Sequence, residues 1–355
     1  MLHLTHGMAK SPASPPASTP SSEGWPPWSL DRLVDPALVA GIAAYRRHPW
    51  QRDLPDPPCL WQENDSRLLD YGGAGPTVLF VPSLVNRAYV LDLAAERSML
   101  RWLAGRNVRP VLLDWGWPGP EERRFTLTDY IAGRLARAMA ALDGPIVLAG
   151  YCMGGLLALA AALREPAMVR GLVLLATPWD FHATKPAQEV ADLMRAVEPL
   201  LAATGTLPID ALQTLFGLQD TDGVAARYRA FATQDPTTAR ARMFVALEDW
   251  LADGVPLAAP VAHECLAGWY GDNTPGRGTW QVAGAVVDPA ALRVPSFVVV
   301  PHRDRIVPPE SARPLAALIP GSHRLEPQAG HVGMVAGSQA ETVLWTPLLD
   351  WVRRI

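Results

Sequence analysis

The sequence predicts an α/β protein with a mostly parallel central sheet that is covered by helices on both faces. Two observations lead to this prediction: short apolar runs typical of buried strands alternate with longer segments of helical periodicity, and hydrophobic residues make up 49% of the 355-residue chain. Strands that alternate with helices imply βαβ crossovers, which produce parallel strands buried on both faces. The predicted strands lie at 78–81, 111–113, 145–151 and 172–176.

Helical segments are predicted between these strands, and a long helical region follows them. The spacing of Leu and Ala predicts helices at 91–104, 127–142 and 156–163. Residues 182–260 show helical patterns and no convincing strand, which indicates a helical cap inserted into the α/β domain. A strand at 296–300, a helix at 311–320, a short strand near 323–327 and a closing helix at 341–355 complete the domain.

This pattern divides the chain into four segments. Residues 1–27 are rich in Pro, Ser and Ala and are predicted to be a disordered tail. Residues 28–181 form the first part of the core, 182–265 the cap, and 266–355 the second part of the core.

Composition excludes several classes of protein. The net charge of −4 arises from 31 basic and 35 acidic residues without a long block of one sign, so no nucleic-acid partner is expected. No apolar run reaches the roughly 18 residues that suggest a membrane span. The widely spaced Cys59, Cys152 and Cys265 suggest neither a disulfide framework nor a metal site, and indicate a reducing cytoplasm. No motif for a metal or a bound cofactor is present.

The most informative stretch is "GPIVLAGYCMGGLLALAAAL", residues 144–163. A buried strand ends in a Gly-x-X-x-Gly turn and restarts at once as a helix, which is the pattern of a nucleophile elbow. Position X is most often serine, but here it is Cys152, flanked by Gly150, Gly154 and Gly155. The helix N-terminus favours a thiolate at this point. A buried cysteine in a glycine-rich helix contact is the structural alternative.

A thiol nucleophile needs a base and an orienting carboxylate. Asp304 follows the strand at 296–300, and His331 lies 27 residues later on a glycine-flanked loop. The order nucleophile, acid, histidine is that of the α/β-hydrolase fold, which we therefore predict. Asp304 could also be a turn residue, and His302 and His323 are rival histidines.

The oxyanion hole is expected to use two backbone N–H groups. The first belongs to Met153, which follows the nucleophile, and the second to the loop after the first predicted strand. Proline at position 82 has no N–H, so Ser83 or Leu84 is the second donor. Trp115, Trp117, Trp179, Trp269 and Trp280 are candidates to line an apolar acyl channel, although ordinary packing is the simpler role for each.

These segments resemble the polyhydroxyalkanoate synthases, particularly the short class III type. "FVPSLVNRAYVLDL", "LLDWGWP", "GYCMGG", "FVALEDWLADG", "LAGWYGDN", "RDRIVPP" and "GHVGMVAGS" match segments of that family in the same order, from about residue 60 to the end. The chain departs from the family in its Pro/Ser-rich tail and in Arg305, where histidine is common. The resemblance makes Asn86, Tyr89, Trp269 and Tyr270 candidate substrate contacts, and we add Trp115 to this set.

The resemblance implies a reaction and its participants. Cys152 would take a hydroxyacyl group from an (R)-3-hydroxyacyl-coenzyme A thioester and pass it to the hydroxyl of a growing polyester, with His331 as base and Asp304 assisting. Coenzyme A enters as part of the substrate, and no cofactor stays bound. The family also implies a homodimer or a helical partner subunit, and a cytoplasmic location that includes the surface of polyester granules.

Two other functions remain open from the sequence. The same triad would serve a hydrolase with a cysteine nucleophile, either an intracellular polyester depolymerase or an acyl-coenzyme A thioesterase. A non-catalytic homologue that binds granules is the third interpretation, but such a protein has no need for an ordered thiol, acid and base.

Overall fold

The computed structural model describes residues 35–184, 187–212 and 221–355. The predicted tail, residues 1–27, lies outside the described residues. An eight-stranded sheet runs through the centre in the order β1-β2-β6-β3-β7-β8-β13-β14. Its members are β1 (Cys59–Glu63), β2 (Ser66–Asp70), β3 (Thr77–Val81), β6 (Arg109–Asp114), β7 (Ile146–Tyr151), β8 (Val169–Leu175), β13 (Ser296–Val299) and β14 (His323–Leu325).

The strands β6, β3, β7, β8, β13 and β14 are parallel to one another. At the edge, β2 pairs antiparallel with β6, and β1 pairs antiparallel with β2. The predicted α/β-hydrolase fold with a mostly parallel sheet is confirmed. Three short antiparallel pairs lie outside the main sheet. They are β4 (Asp92–Ala94) with β5 (Arg97–Ser98), β9 (Thr206–Leu207) with β10 (Leu257–Ala258), and β11 (Gln281–Val282) with β12 (Ala285–Val286).

Helices cover both faces of the sheet. The described α-helices are α1 (Pro36–Arg47), α2 (Met99–Ala104), α3 (Ala136–Ala140), α4 (Met153–Arg164), α5 (Ala187–Thr204), α6 (Thr221–Phe231), α7 (Ala239–Ala252), α8 (Ala259–His263), α9 (Pro309–Leu318), α10 (Gly333–Ala336) and α11 (Thr346–Val352). Some segments are π-helical: Asp129–Leu135 leads into α3, Glu264–Gly271 follows α8, and Glu341–Trp345 leads into α11. Short 3-10 turns occupy Ala88–Leu91, Glu122–Arg124 and Pro289–Ala291.

Burial on the two faces follows from the period of two along each strand. In β3, Leu79 and Val81 point into one hydrophobic cluster, which contains most of α4. Val78 and Phe80 point into a second cluster on the opposite face, which contains α2 and α11 residues. A strand buried on both faces forms a continuous apolar run, and this made the parallel strands visible in the sequence.

The helix predicted at 91–104 is wrong over residues 92–98, where the chain forms the β4–β5 hairpin instead. Asp92 is fully buried, and its carboxylate pairs with Arg52 at 2.9 Å and Arg101 at 2.8 Å. Ser98 then caps α2 by accepting a hydrogen bond from the Arg101 N–H. A partner 40 positions away helps to decide this local structure, so the apolar periodicity alone misleads.

The region predicted to be purely helical, 182–260, also contains strand residues. β9 and β10 pair antiparallel within it, so the prediction of no strand there is wrong for these short elements. The end of α7 meets the core through an isolated bridge between Asn86 and Gly254 and a hydrogen bond from the Val255 N–H to the Val85 carbonyl at 3.1 Å. This contact ties the end of α7 to the loop after β3.

Candidate active site

Cys152 occupies the turn between β7 and α4. Its φ of 57° and ψ of −129° place a non-glycine residue in a region that L-residues rarely adopt. The turn is fixed on both sides: the Cys152 N–H donates to the Leu175 carbonyl at 2.8 Å, and its carbonyl accepts from the Gly155 N–H at 2.9 Å. Held this way, the half-buried thiol lies at the N-terminus of α4, at the carboxyl edge of the sheet.

The glycines around Cys152 are required by close approach of the backbone. A Cβ on Gly154 would lie 2.1 Å from the Val81 carbonyl oxygen, and a Cβ on Gly150 would lie 2.4 Å from the Gly155 Cα. A Cβ on Gly155 would lie 1.8 Å from the Thr177 Oγ1. These contacts bring the first turn of α4 against the ends of β3 and β8, as a nucleophile elbow demands.

Two loops bring the acid and the base together. The loop after β13 and the loop after β14 run side by side, with hydrogen bonds from the His302 N–H to the Pro327 carbonyl at 2.8 Å and from the Arg303 N–H to the Ala329 carbonyl at 3.0 Å. Parallel neighbouring strands end at the same edge, so both loops open beside Cys152.

His331 and Asp304 form a buried hydrogen-bonded pair. The His331 Nδ1 lies 2.7 Å from the Asp304 Oδ2. The other oxygen, Oδ1, accepts hydrogen bonds from the N–H groups of Ile306 and Val307, each at 2.9 Å. Because Nδ1 is engaged with the carboxylate, Nε2 is the ring atom that faces the thiol.

The electrostatics of His331 depend on both partners. Burial by itself lowers the pKa of His331, but the charges of Cys152 and Asp304 and hydrogen bonds to both raise it, and the net result is a pKa of about 10. The imidazole therefore retains a proton at neutral pH when these anions surround it.

Tyr151 supports the histidine from the other side, a role that the sequence analysis did not predict. Its hydroxyl donates to the His331 backbone carbonyl at 3.3 Å, and the two ring centroids lie 5.0 Å apart. Burial first, and then the charges of Cys152 and Asp304, raise the pKa of Tyr151 well above its usual value. The phenol thus remains a neutral donor that orients the His331 loop.

The predicted oxyanion donors lie on two adjacent segments. Met153 is the first residue of α4, so its N–H has no acceptor within the helix. Ser83 and Leu84 lie in the loop after β3, and within the described part of the chain neither N–H donates to a backbone or side-chain acceptor. The Ser83 Oγ accepts from the Val85 N–H at 3.3 Å, which shapes this loop.

Three of the predicted substrate contacts, Trp115, Asn86 and Tyr89, lie near the loop after β3. Trp115 lies beneath the loop, where its indole N–H donates to the Pro82 carbonyl at 3.0 Å. Asn86 pairs with the end of α7 through its backbone. Tyr89 lies under the guanidinium of Arg52, 5.3 Å from its ring centroid, and burial and Asp253 raise its pKa. These contacts place the three residues around the donor loop and the end of α7.

Burial raises the pKa of Tyr270, and a negative charge on the Cys152 sulfur raises it further. Within the described residues, its hydroxyl has no hydrogen-bond partner. Trp269 is buried and packs edge-on against Trp280 at 5.4 Å and near Phe181 at 5.7 Å. Tyr270 and Cys152 both pack, partly buried, against the hydrophobic cluster that contains most of α4.

Hydrogen bonds of Asn273 and His182, which the sequence analysis did not predict, hold the segment with Tyr270 in place. We call this set of hydrogen bonds the latch. The Asn273 Oδ1 accepts from the Phe181 N–H at 3.0 Å, and its Nδ2 donates to the Asp180 Oδ1 at 2.8 Å. The His182 Nε2 lies 3.0 Å from the carbonyls of Tyr270 and Gly271. The polar residues that flank the aromatic positions in "TPWDFH" and "WYGDN" are the sequence signal for this latch.

The rival histidines lie outside the site. His302 is exposed, with its Nδ1 3.4 Å from Arg313, and His323 stacks on Phe297 at 5.2 Å. In the described ranges, no group of three or more His, Cys, Asp or Glu residues is arranged to hold a metal ion. None of the helices in those ranges combines the length and the apolar character that a membrane crossing demands.

Comparison with known proteins finds relatives in sequence and in fold. The poly(3-hydroxyalkanoate) polymerase subunit PhaC of Haloferax mediterranei is 28% identical over 307 residues, which cover 82% of this chain and 62% of that protein. The protein of the same name from Haloarcula marismortui is 26% identical over 354 residues, covering 92% and 74% of the two chains. Among solved structures, a thioesterase domain from the curacin biosynthetic pathway superposes with a TM-score of 0.53 at 15% identity, covering 85% of this chain and all of that domain.

A family model described as the alpha/beta hydrolase fold matches residues 76–337. That range contains the elbow, the loop after β3, and the loops of Asp304 and His331. The sheet order and the solved structure agree with it. The chain belongs to the alpha/beta hydrolase fold family.

Proposed function

We propose that this chain is a polyhydroxyalkanoate synthase, which moves hydroxyacyl groups from a coenzyme A thioester to a growing polyester. The observation that carries the proposal is a cysteine, rather than a serine, at the elbow of an alpha/beta hydrolase, beside a buried His331–Asp304 pair. The names of the relatives, which are poly(3-hydroxyalkanoate) polymerases, support the same reaction.

The first half-reaction forms an acyl-enzyme. His331 takes the thiol proton of Cys152, and the Sγ attacks the thioester carbonyl carbon. The developing oxyanion accepts hydrogen bonds from the N–H of Met153 and from that of Ser83 or Leu84. The carbon–sulfur bond to coenzyme A then breaks, and His331 returns its proton to the departing thiolate. The raised pKa of His331 allows it to keep the proton until that moment.

The second half-reaction lengthens the polymer. The terminal hydroxyl of the growing chain attacks the Cys152 thioester while His331, held by Asp304, accepts its proton. The new ester bond forms, and the Cys152 sulfur leaves and recovers the proton from His331. Tyr270, which packs against the same hydrophobic cluster as Cys152, borders the acyl group in this scheme.

Sulfur at the elbow suits transfer better than hydrolysis. Exchange of one thioester for another changes the free energy little, so the acyl group on Cys152 remains activated for attack by a hydroxyl. A serine ester would lose part of that activation. This chemical difference favours the synthase over a depolymerase or thioesterase with the same fold.

The chain spans 62% of the length of its Haloferax relative and 74% of its Haloarcula relative, and both are named as subunits. We therefore extend the proposal to a second helical subunit or a second copy of this chain as a partner. A cytoplasmic location at the surface of the polyester granule fits a product that is insoluble.

The test supplies purified protein with (R)-3-hydroxybutyryl-coenzyme A and follows both free thiol and insoluble polymer. Cys152→Ala should abolish both products, whereas Cys59→Ala, which changes an exposed cysteine, should leave them unchanged. Intact-protein mass spectrometry should detect one added hydroxybutyryl group that depends on Cys152. Thiol release that yields only free hydroxy acid would assign a hydrolase and overturn the synthase.

A further inference from the structure

A cavity of about 650 Å³ lies between α6, α7 and the β4–β5 hairpin, and Cys152, Asp304 and His331 are not among the residues that line it. Four arginines and one glutamate are the charged residues of its lining, so the cavity is strongly positive. Its volume is within the range of about 300–1,000 Å³ that is typical of sites for small molecules. The charged residues are Arg97, Arg227, Arg240, Arg242 and Glu96.

Most of these arginines have no carboxylate partner among the described residues. Arg227 pairs with Glu248 at 3.7 Å. Arg97 and Arg242 donate to backbone carbonyls, of Glu96 and Thr237 respectively. In the described ranges, no carboxylate lies within ion-pair distance of Arg97, Arg240 or Arg242. Guanidinium groups bind phosphate in bidentate fashion, so the cavity is suited to a phosphorylated ligand.

The rest of the cavity lining is mostly apolar, with Gln234 and Ser338 as its uncharged polar residues. Trp50, Met243, Phe244 and Leu247 line it, and Phe244 stacks on Phe231 with ring centroids 4.2 Å apart. A flat apolar wall beside guanidiniums without a carboxylate partner matches a ligand that combines an aromatic base with phosphates, since the base can stack while the arginines hold the charge.

Helix α7 connects this cavity with the active site. Met243 lines the cavity, whereas the other end of the helix reaches the loop after β3, where the Trp250 indole donates to the Arg87 carbonyl at 2.8 Å. From Met243 to Ala252 the helix rises about 14 Å. The pantetheine arm of coenzyme A contains about a dozen single bonds between its sulfur and its diphosphate, an extended length on the order of 15 Å.

We propose that this cavity binds the phosphorylated adenosine end of the coenzyme A thioester, with the pantetheine arm lying along α7 toward Cys152. Trp50 and Phe244 contact the base, and Arg97, Arg240 and Arg242 hold the phosphates. The inference rests on the proposed function only in taking a coenzyme A thioester as the substrate, and it holds for transfer or for hydrolysis of that thioester.

The test compares two substrates that differ in the nucleotide alone, (R)-3-hydroxybutyryl-coenzyme A and (R)-3-hydroxybutyryl-pantetheine, by rate of thiol release. Arg240→Ala combined with Arg242→Ala should raise KM for the coenzyme A thioester about tenfold or more, because charge-assisted bonds to phosphate are lost. KM for the pantetheine thioester and kcat for both should stay unchanged. Arg324→Ala, a change of an exposed arginine on β14, is the matched control.

A binding measurement separates this inference from the proposed function. Isothermal titration of the intact protein with adenosine 3′,5′-bisphosphate should detect binding that the double variant weakens by a similar factor and that Arg324→Ala retains. This result supports the cavity even if the protein forms no polymer. Absence of bisphosphate binding, or an equal rise of KM for both thioesters, would overturn the inference. Binding of the free nucleotide without any effect on KM would overturn it as well.

Discussion

Asp304 exposes none of its side chain to solvent, and both of its carboxylate oxygens accept hydrogen bonds. The two backbone donors on Oδ1 fix the plane of the carboxylate, so Oδ2 is presented to His331 in one direction. At the scale of the residue, the orientation of the base therefore comes from Asp304, and not from contacts of the imidazole with solvent.

The pH dependence of the reaction should change when this carboxylate is neutralised. Asp304→Asn removes a charge and a hydrogen bond that raise the pKa of His331, so that pKa should fall by about 1–3 units. The alkaline limb of kcat/KM for thiol release, where His331 loses its proton, should move to lower pH, and the rate should decrease about 10²–10⁴-fold. A variant with an unmoved alkaline limb would contradict the assignment of His331 as the group that titrates.

Much of this chemistry could be predicted from residue types and spacing alone. The spacing of the glycines around Cys152 predicts the tight turn, and Asp304 and His331 follow strands whose ends meet at one edge. The support from Tyr151 could not be predicted, because its contact is with the backbone carbonyl of a residue 180 positions away. A backbone acceptor carries no signal in the side-chain sequence.

At the scale of the element, the first turn of α4 depends on how closely it approaches β3. Gly154→Ala places a Cβ 2.1 Å from the Val81 carbonyl oxygen, and neither backbone can yield. We expect a loss of about 1–3 kcal/mol in the free energy of unfolding and a large loss of activity, because Met153 moves with the turn. Chemical denaturation with activity assays on the same samples gives both quantities.

Gly105→Ala is the matched control for that substitution. Gly105 has a φ of −65°, and a Cβ at this position would have its nearest neighbouring atom at 3.6 Å, an ordinary contact distance. Its stability should change by no more than about 0.5 kcal/mol. Equal destabilisation by the two substitutions would contradict the assignment of the loss at position 154 to the contact with Val81.

The latch on Asn273 gives a prediction for the segment that contains Tyr270. Asn273→Ala leaves the buried Phe181 N–H without its acceptor and should cost about 1–3 kcal/mol in stability, with a loss in kcat as Tyr270 shifts. Asn107→Ala is the control, since Asn107 also has a positive φ of 61° but is exposed. The difference between the two variants in thermal unfolding and kcat isolates the hydrogen bonds from the backbone strain.

The elements differ in how far the sequence determines them locally. The parallel strands are short apolar runs closed by Gly or Pro, and the parallel sheet that they predict was confirmed with the fold. β1 was missed because none of its five residues is buried, so its sequence lacks the apolar alternation of a half-buried strand. The β4–β5 hairpin depends on Arg52, which lies outside any local window.

At the scale of the whole molecule, α1 packs against α6 across almost 190 positions of sequence. A Cβ on Gly41 would lie 1.9 Å from the Tyr228 carbonyl oxygen, so the two helices touch through their backbones. Two hydrogen bonds lie near this contact. The Tyr228 hydroxyl donates to Glu248 at 2.9 Å, and the Tyr45 hydroxyl donates to Asp249 at 2.7 Å. The segment before the sheet is therefore part of the structure around α7.

Gly41→Ala should separate α1 from α6 and lower the free energy of unfolding by about 1–3 kcal/mol. The melting temperature, followed by circular dichroism, should decrease relative to the wild type and to Gly105→Ala. Because α1 contains none of Cys152, Asp304 and His331, the variant should keep its kcat at temperatures where it is folded. Loss of activity without loss of stability would instead indicate that α1 acts on the active site.

The backbone contacts between residues 85–86 and 254–255 join the loop after β3 to the end of α7. The loop with Ser83 and Leu84, in which we propose the second oxyanion donor, is bonded to the end of α7, so the two cannot move independently without breaking the Val255 to Val85 hydrogen bond. A displacement of α7 would therefore also move the loop in which we propose the second oxyanion donor. The helix that lines the arginine-rich cavity and the proposed catalytic loop then shift together.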